Sequence, residues 1–195
     1  MRITSFYPRR YFWYRFFNSI FTGLSVGSIF TIYAPLKPSI YSVGGILLAA
    51  GMLVVARFYE KLMNLRNFFL ISVFVEAVVL FLVIFFLLKP YTYTTALLIY
   101  AGYQLTFVFG SYLVRTETIF LKKKKFLSLL DMYKQSGYLG GLVVSFLFYQ
   151  GLERLSGIET NQEKVYLLHF LLLFVELVVI YTLLRSFKIR LDGLP

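Results

Sequence analysis

The octapeptide FVEAVVLF, Phe74–Phe81, returns as FVELVVIY, Phe174–Tyr181, with a glutamate in the third place of each copy, Glu76 and Glu176. VGGILLA at Val43–Ala49 likewise returns as LGGLVVS at Leu139–Ser145, ahead of each octapeptide in the same order. A weaker pairing sets Gly27-Ser28 against Gly110-Ser111. These anchors lie in apolar runs near 16–34, 38–56, 68–88, 94–114, 136–152 and 165–184. Helices of roughly 18–22 residues span about 30 Å of hydrocarbon, so the reading is six membrane spans. The matches pair the first span with the fourth, the second with the fifth and the third with the sixth. Paired spans run in opposite directions, which makes a three-plus-three inverted repeat in an all-α membrane protein.

Composition agrees. Of 195 residues, 59% are hydrophobic and 15% charged, against about 25% charged in an ordinary soluble domain. The absence of cysteine excludes disulfides, thiolate metal sites and cysteine nucleophiles. The formal charge of +11 divides by side. Arg2, Arg9, Arg10 and Arg15 precede the first span, Arg57, Lys61 and Arg66 follow the second, and Arg115, Lys122–Lys125 and Lys134 join the fourth to the fifth. With Arg185, Lys188 and Arg190 after the last span, sixteen of the twenty basic residues share one side, against Lys37, Lys89, Arg154 and Lys164. Positive-inside bias puts both termini in the cytoplasm, in the inner (plasma) membrane of a bacterium. The charge then faces anionic lipid, not nucleic acid.

Residues 1–15 read as a cytoplasmic interfacial segment, with Tyr11, Trp13 and Tyr14 at headgroup level and Arg9, Arg10 and Arg15 among the phosphates. Residues 185–195 form a cytoplasmic tail. The outer loops Pro35–Pro38 and Lys89–Tyr93 are short, and Glu153–Lys164 is longer. The stretch Thr116–Gln135, with its four lysines, is expected to leave the bilayer as helix and then lie along its surface.

Small residues form four-residue ladders at Gly23/Gly27, Gly102/Thr106/Gly110 and Gly137/Gly141/Ser145, and close helix packing accounts for all three. A carboxylate at mid-span is costly, and desolvation raises its pKa. Glu76 and Glu176 are therefore either proton carriers in a transport cycle or neutral carboxyls bonded across a helix pair. His169 is the sole histidine, so no histidine metal cluster forms, and its place in the outer part of the sixth span suits packing or an interfacial position. Ser145 lacks the surroundings of a protease nucleophile. No catalytic residue, metal site or cofactor is expected.

ARFYEKLMNLRNFF, Ala56–Phe69, resembles the cytoplasmic signature of the major facilitator superfamily, Gly-x-x-x-Asp-Arg-x-Gly-Arg-Arg between the second and third helices. Ala56 stands for the first glycine, Glu60 for the aspartate and Lys61 for the first arginine. Met63, Asn64 and Leu65 depart from the pattern, and Arg66 comes one step late. The resemblance covers the whole chain but only one six-helix half, of the N-terminal type, of a twelve-helix architecture. It implies a cavity lined by the first and fourth helices, with the third and sixth peripheral. Asn18, Thr22 and Ser25 would then line it from the first helix, and Tyr100, Tyr103, Gln104 and Ser111, with Phe107, from the fourth; both stripes follow helical spacing. It also implies a cytoplasmic gate of Arg57, Glu60, Lys61, Arg66, Arg115 and Glu117.

The expected activity is that of a half-size secondary transporter, moving a small organic solute by alternating access. The missing half would come from a second copy in a homodimer, or from a continuation of the chain. Two other readings remain open: the solute-binding membrane subunit of an energy-coupling-factor-type importer, and a non-transporting membrane scaffold.

Overall fold

A computed structural model describes residues 2–190; residues 191–195, the end of the expected tail, lie outside them. The described chain is almost entirely helical. It runs β1 (Arg2–Phe6), α1 (Pro8–Ser25), α2 (Ser28–Tyr33), α3 (Pro38–Arg57), α4 (Tyr59–Leu62), α5 (Leu65–Leu88), α6 (Tyr93–Val108), α7 (Gly110–Leu121), α8 (Lys124–Ser156), α9 (Asn161–Arg185) and β2 (Phe187–Arg190). Four rods are long and apolar enough to cross a membrane: α3, α5, α6 with α7, and α9. They coincide with the second, third, fourth and sixth expected spans.

The first and fifth expected spans fall on α1–α2 and α8, which are less apolar for a visible reason. Pro8 fixes the start of α1, as proline does at a first helical position, and the helix takes in Arg9, Arg10, Arg15 and Asn18. Glycine and serine dilute α8, and these same residues let it meet α1. A Cβ on Gly137 would run into the Phe16 carbonyl, one on Gly141 into the Ile20 carbonyl, and one on Gly23 into the Tyr138 carbonyl. The Ser145 hydroxyl donates to the Leu24 carbonyl at 3.4 Å. No other pair of helices packs so extensively.

Two helices break. Between α1 and α2 lie Val26 and Gly27, and between α6 and α7 lies Phe109. Hydroxyls lead into both breaks by donating back along the helix, an arrangement that loosens and bends it. Thr22, Ser25 and Ser28 donate to the carbonyls of Asn18, Thr22 and Ser25, and Thr106 donates to that of Tyr103. Glycine then adds its own cost to helix continuity.

The remaining contacts are few in kind. Helix α9 packs on α1 and α5, α6 packs on α3 and α5, and α2 touches α6 and α9. The lysine run makes a tight turn instead of a surface helix. Lys122 adopts φ +49°, and α8 starts at Lys124. On the opposite side, Gly157 closes α8 in the left-handed region, and Thr160 caps α9 by accepting from the Glu163 amide.

The chain ends meet. Strands β1 and β2 pair antiparallel, Ile3 opposite Ile189 and Phe6 opposite Phe187, with a bulge between Ile3 and Ser5. The ribbon is pinned by an aromatic cluster. Phe6 lies 5.1 Å from Tyr11 and 5.3 Å from Phe187, Phe69 lies 5.1 Å from Phe187, and Phe68 lies 5.7 Å from Phe120.

Candidate functional site

Helix α1 carries a polar stripe longer than the sequence reading assigned. Tyr11, Tyr14, Arg15 and Asn18, spaced i, i+3, i+4, i+7, share the face that continues through Thr22 and Ser25. Tyr11 and Tyr14 are buried, and only Trp13 of the three aromatics is exposed, at 49%. The Tyr14 hydroxyl donates to Glu76 on α5. The Asn18 amide donates to both oxygens of the same carboxylate, at 3.2 and 3.4 Å.

One turn nearer the ribbon, Glu117 on α7 is 2% exposed and accepts from the Tyr11 hydroxyl at 2.6 Å. Arg15 Nε stands 2.9 Å from Glu117, and Lys134 Nζ stands 3.9 Å away. Arg15, 14% exposed, is thus engaged with a buried carboxylate. Burial and the Glu117 carboxylate hold the Tyr11 hydroxyl well above its ordinary range, so it remains a donor.

Above this network a cavity of about 580 Å³ opens between α1–α2 and α6–α7, with α5 at its back. Its wall includes Asn18, Thr22, Ser25, Tyr100, Tyr103 and Gln104, six of the seven residues read from the two stripes. Ser111 is not on the wall. Tyr14, Arg15, Phe21, Tyr33 and Phe107 complete much of the rest. Glu76 lines it too, so α5 is not peripheral at that level. The carboxamide oxygen of Gln104 has no hydrogen-bond partner among the described residues. At the end remote from the ribbon, Tyr33, Tyr41 and Tyr100 pack edge to face, Tyr41 and Tyr100 at 5.3 Å. Tyr100 donates to the Tyr41 carbonyl at 3.1 Å.

Glu176, at the matching place of the second octapeptide, differs from Glu76. It is fully buried on α9 away from the cavity wall, and both its oxygens lack a partner among the described residues.

The six expected gate charges are not gathered. Arg57, Glu60, Lys61 and Arg66 are exposed, and none of them makes an ion pair among the described residues. The Arg115 guanidinium lies over the Tyr59 ring at 5.9 Å. Glu117 alone is engaged, and its partners come from α1 and α8. Nothing in the Ala56–Phe69 pattern pointed to Arg15 or Lys134; the heptad-like spacing of α1's polar residues was the available signal. His169 is buried, its ring 3.9 Å from that of Phe86, with Nδ1 2.7 Å from the Val165 carbonyl. That is a packing role. No protein-family model, curated protein or solved structure matches this chain.

Proposed function

We propose that the chain is a six-helix half of a secondary transporter, which moves a small organic solute by alternating access and acts as a homodimer. The observation that carries this reading is the cavity between two helices that break at matching places. Interrupted helices at corresponding positions of two repeats are the usual mark of a transport site, and Gly27-Ser28 and Gly110-Ser111 are the positions the sequence had already paired. A volume of about 580 Å³ suits one drug-sized solute.

The packing supports the inverted repeat. Exchanging the first three spans for the last three turns the α1–α8 contact into α6–α3 and the α1–α9 contact into α6–α5, and it returns α5–α9 to itself. Each of these contacts has its image, with α1 packing more extensively on α8 and α9 than α6 does on α3 and α5. The ribbon joining the chain ends accords with an even number of crossings, six on this reading, with α1–α2 and α8 as the first and fifth. Sixteen basic residues on the ribbon side favour a cytoplasmic ribbon in a plasma membrane. Both the Ala56–Phe69 stretch and this layout favour a major-facilitator-like half. Helices α3 and α8 leave Val43, Ile46, Leu47, Leu139, Val143 and Phe146 exposed, and a two-fold axis along the membrane normal would cover part of that surface with a second copy.

Within this reading Glu76, on the cavity wall, is the stronger candidate for proton coupling, and Glu176 the weaker. The latch on the cytoplasmic side is Arg15, Glu117 and Lys134 in place of the exposed charges around Glu60. Glu76→Gln is expected to flatten the pH dependence of solute flux in proteoliposomes; flux that keeps its full pH profile removes the coupling role.

The chain holds no cysteine, so single cysteines report without background. Thr22→Cys and Gln104→Cys are expected to react with a membrane-impermeant maleimide in membrane vesicles, through water in the cavity. If neither reacts from either side of the membrane, the polar stripes are packing, and a scaffold is the better description.

A further inference from the structure

Two carboxylates serve the polar network, and their cation supply is unequal. Glu117 holds Arg15 and Lys134 together. Glu76 has no lysine or arginine nitrogen within 4.0 Å among the described residues. Its partners are the neutral donors Tyr14 and Asn18, which leave at least one of about four carboxylate acceptor sites open. It is the sole acid on the cavity wall, and the sole base there is Arg15, already spoken for by Glu117. Across the cavity stand the rings of Tyr33, Tyr100, Tyr103 and Phe107. Aromatic faces attract cations, most strongly where water is excluded.

We propose that the cavity takes a monovalent organic cation with an apolar body, its positive centre beside Glu76 and its body against the tyrosine and phenylalanine rings. The proposal rests on the reading of this cavity as a solute site and adds the charge class. An organic anion of the same shape would meet the Glu76 carboxylate with Arg15 already paired, and is excluded.

Tetraphenylphosphonium and tetraphenylborate share a shape and differ in charge, which makes them suitable probes. With the full chain in nanodiscs, equilibrium dialysis is expected to show saturable tetraphenylphosphonium binding that tetraphenylborate does not displace. Glu76→Gln is expected to weaken binding at least tenfold, and Glu76→Asp to stay within a few-fold of the parent. The cation should also slow maleimide labelling of Gln104→Cys, which places it in this cavity. Binding within two-fold of the parent in Glu76→Gln, equal competition by tetraphenylborate, or unslowed labelling of Gln104→Cys each overturns the proposal. Should Glu76→Gln aggregate, protection of Gln104→Cys in the otherwise unaltered chain decides the matter. Labelling of Gln104→Cys without any saturable cation binding rejects the charge class and leaves the transport reading standing, whereas Thr22→Cys and Gln104→Cys that both never react reject both.

Discussion

Glu76 and Glu176 hold the same place in their octapeptides and face different surroundings. Helix α1 brings a tyrosine and an asparagine to Glu76, while Glu176 is buried on α9 without a donor among the described residues. Repeats set where a glutamate falls on a helix, and the neighbouring helix sets what it meets. The Arg15–Glu117 pair is the residue-level feature with the largest expected effect. Removing one member of a buried pair strands the other and costs about 3–5 kcal/mol. Glu117→Gln is expected to lower the thermal unfolding midpoint sharply in detergent, and Arg15→Gln added to it should restore part of the loss. Additive losses in the double variant would show that the two do not act as a pair. Tyr14→Phe, which takes one donor from Glu76, is expected to cost about 1–2 kcal/mol by the same measurement, with Trp13→Phe near neutral because that ring is half-exposed.

At the scale of elements, the α1–α8 contact is decided by which glycines face inward. Gly141 meets the Ile20 carbonyl, and its neighbour Gly140 has open space around it. Gly141→Leu is expected to abolish a monodisperse peak in size-exclusion chromatography, and Gly140→Leu to keep it. Equal behaviour of the two would contradict the packing described. The breaks in α1–α2 and α6–α7 make a second contrast, since a Cβ at Gly27 or Gly110 meets nothing within 4 Å. Gly27→Ala should therefore fold well and gain about 1 kcal/mol in helix propensity, while straightening a helix whose bend shapes the cavity. A slower reaction of Thr22→Cys with maleimide in that background is the expected readout. The matches of Gly27-Ser28 with Gly110-Ser111 and of the two octapeptides were legible in the sequence because they are local strings. The ribbon was not, although Phe187-Lys188-Ile189-Arg190 alternates apolar and basic as a strand does. Next to a long apolar helix, four alternating residues read as a charged tail. The engagement of Tyr11, Tyr14 and Arg15 with Glu117 and Glu76 was hidden for a similar reason: aromatic and basic residues before a span ordinarily read as headgroup contacts, and only the spacing along α1 sets these three apart.

For the whole molecule, three features bear on the same claim. On the proposed inverted repeat the helix contacts exchange in pairs, the two broken helices flank one cavity, and the apolar faces of α3 and α8 lie uncovered. Stripe residues Asn18, Thr22, Ser25, Tyr100, Tyr103 and Gln104 could be assigned to one wall from helical spacing together with the family resemblance. Ser111 falls outside it, while Gly110, Leu113 and Val114 carry the same wall on into α7. The charges around Glu60 stand apart from Glu117 among the described residues, and a motif at Glu60 says nothing of which helix approaches Glu117. If the chain is half of a transporter, its cavity is complete only when a second copy supplies the other wall. The native mass of the chain released from lipid nanodiscs tests this most directly. A mass of two chains is the result this account expects, and a mass of one chain under every lipid composition tried would contradict it.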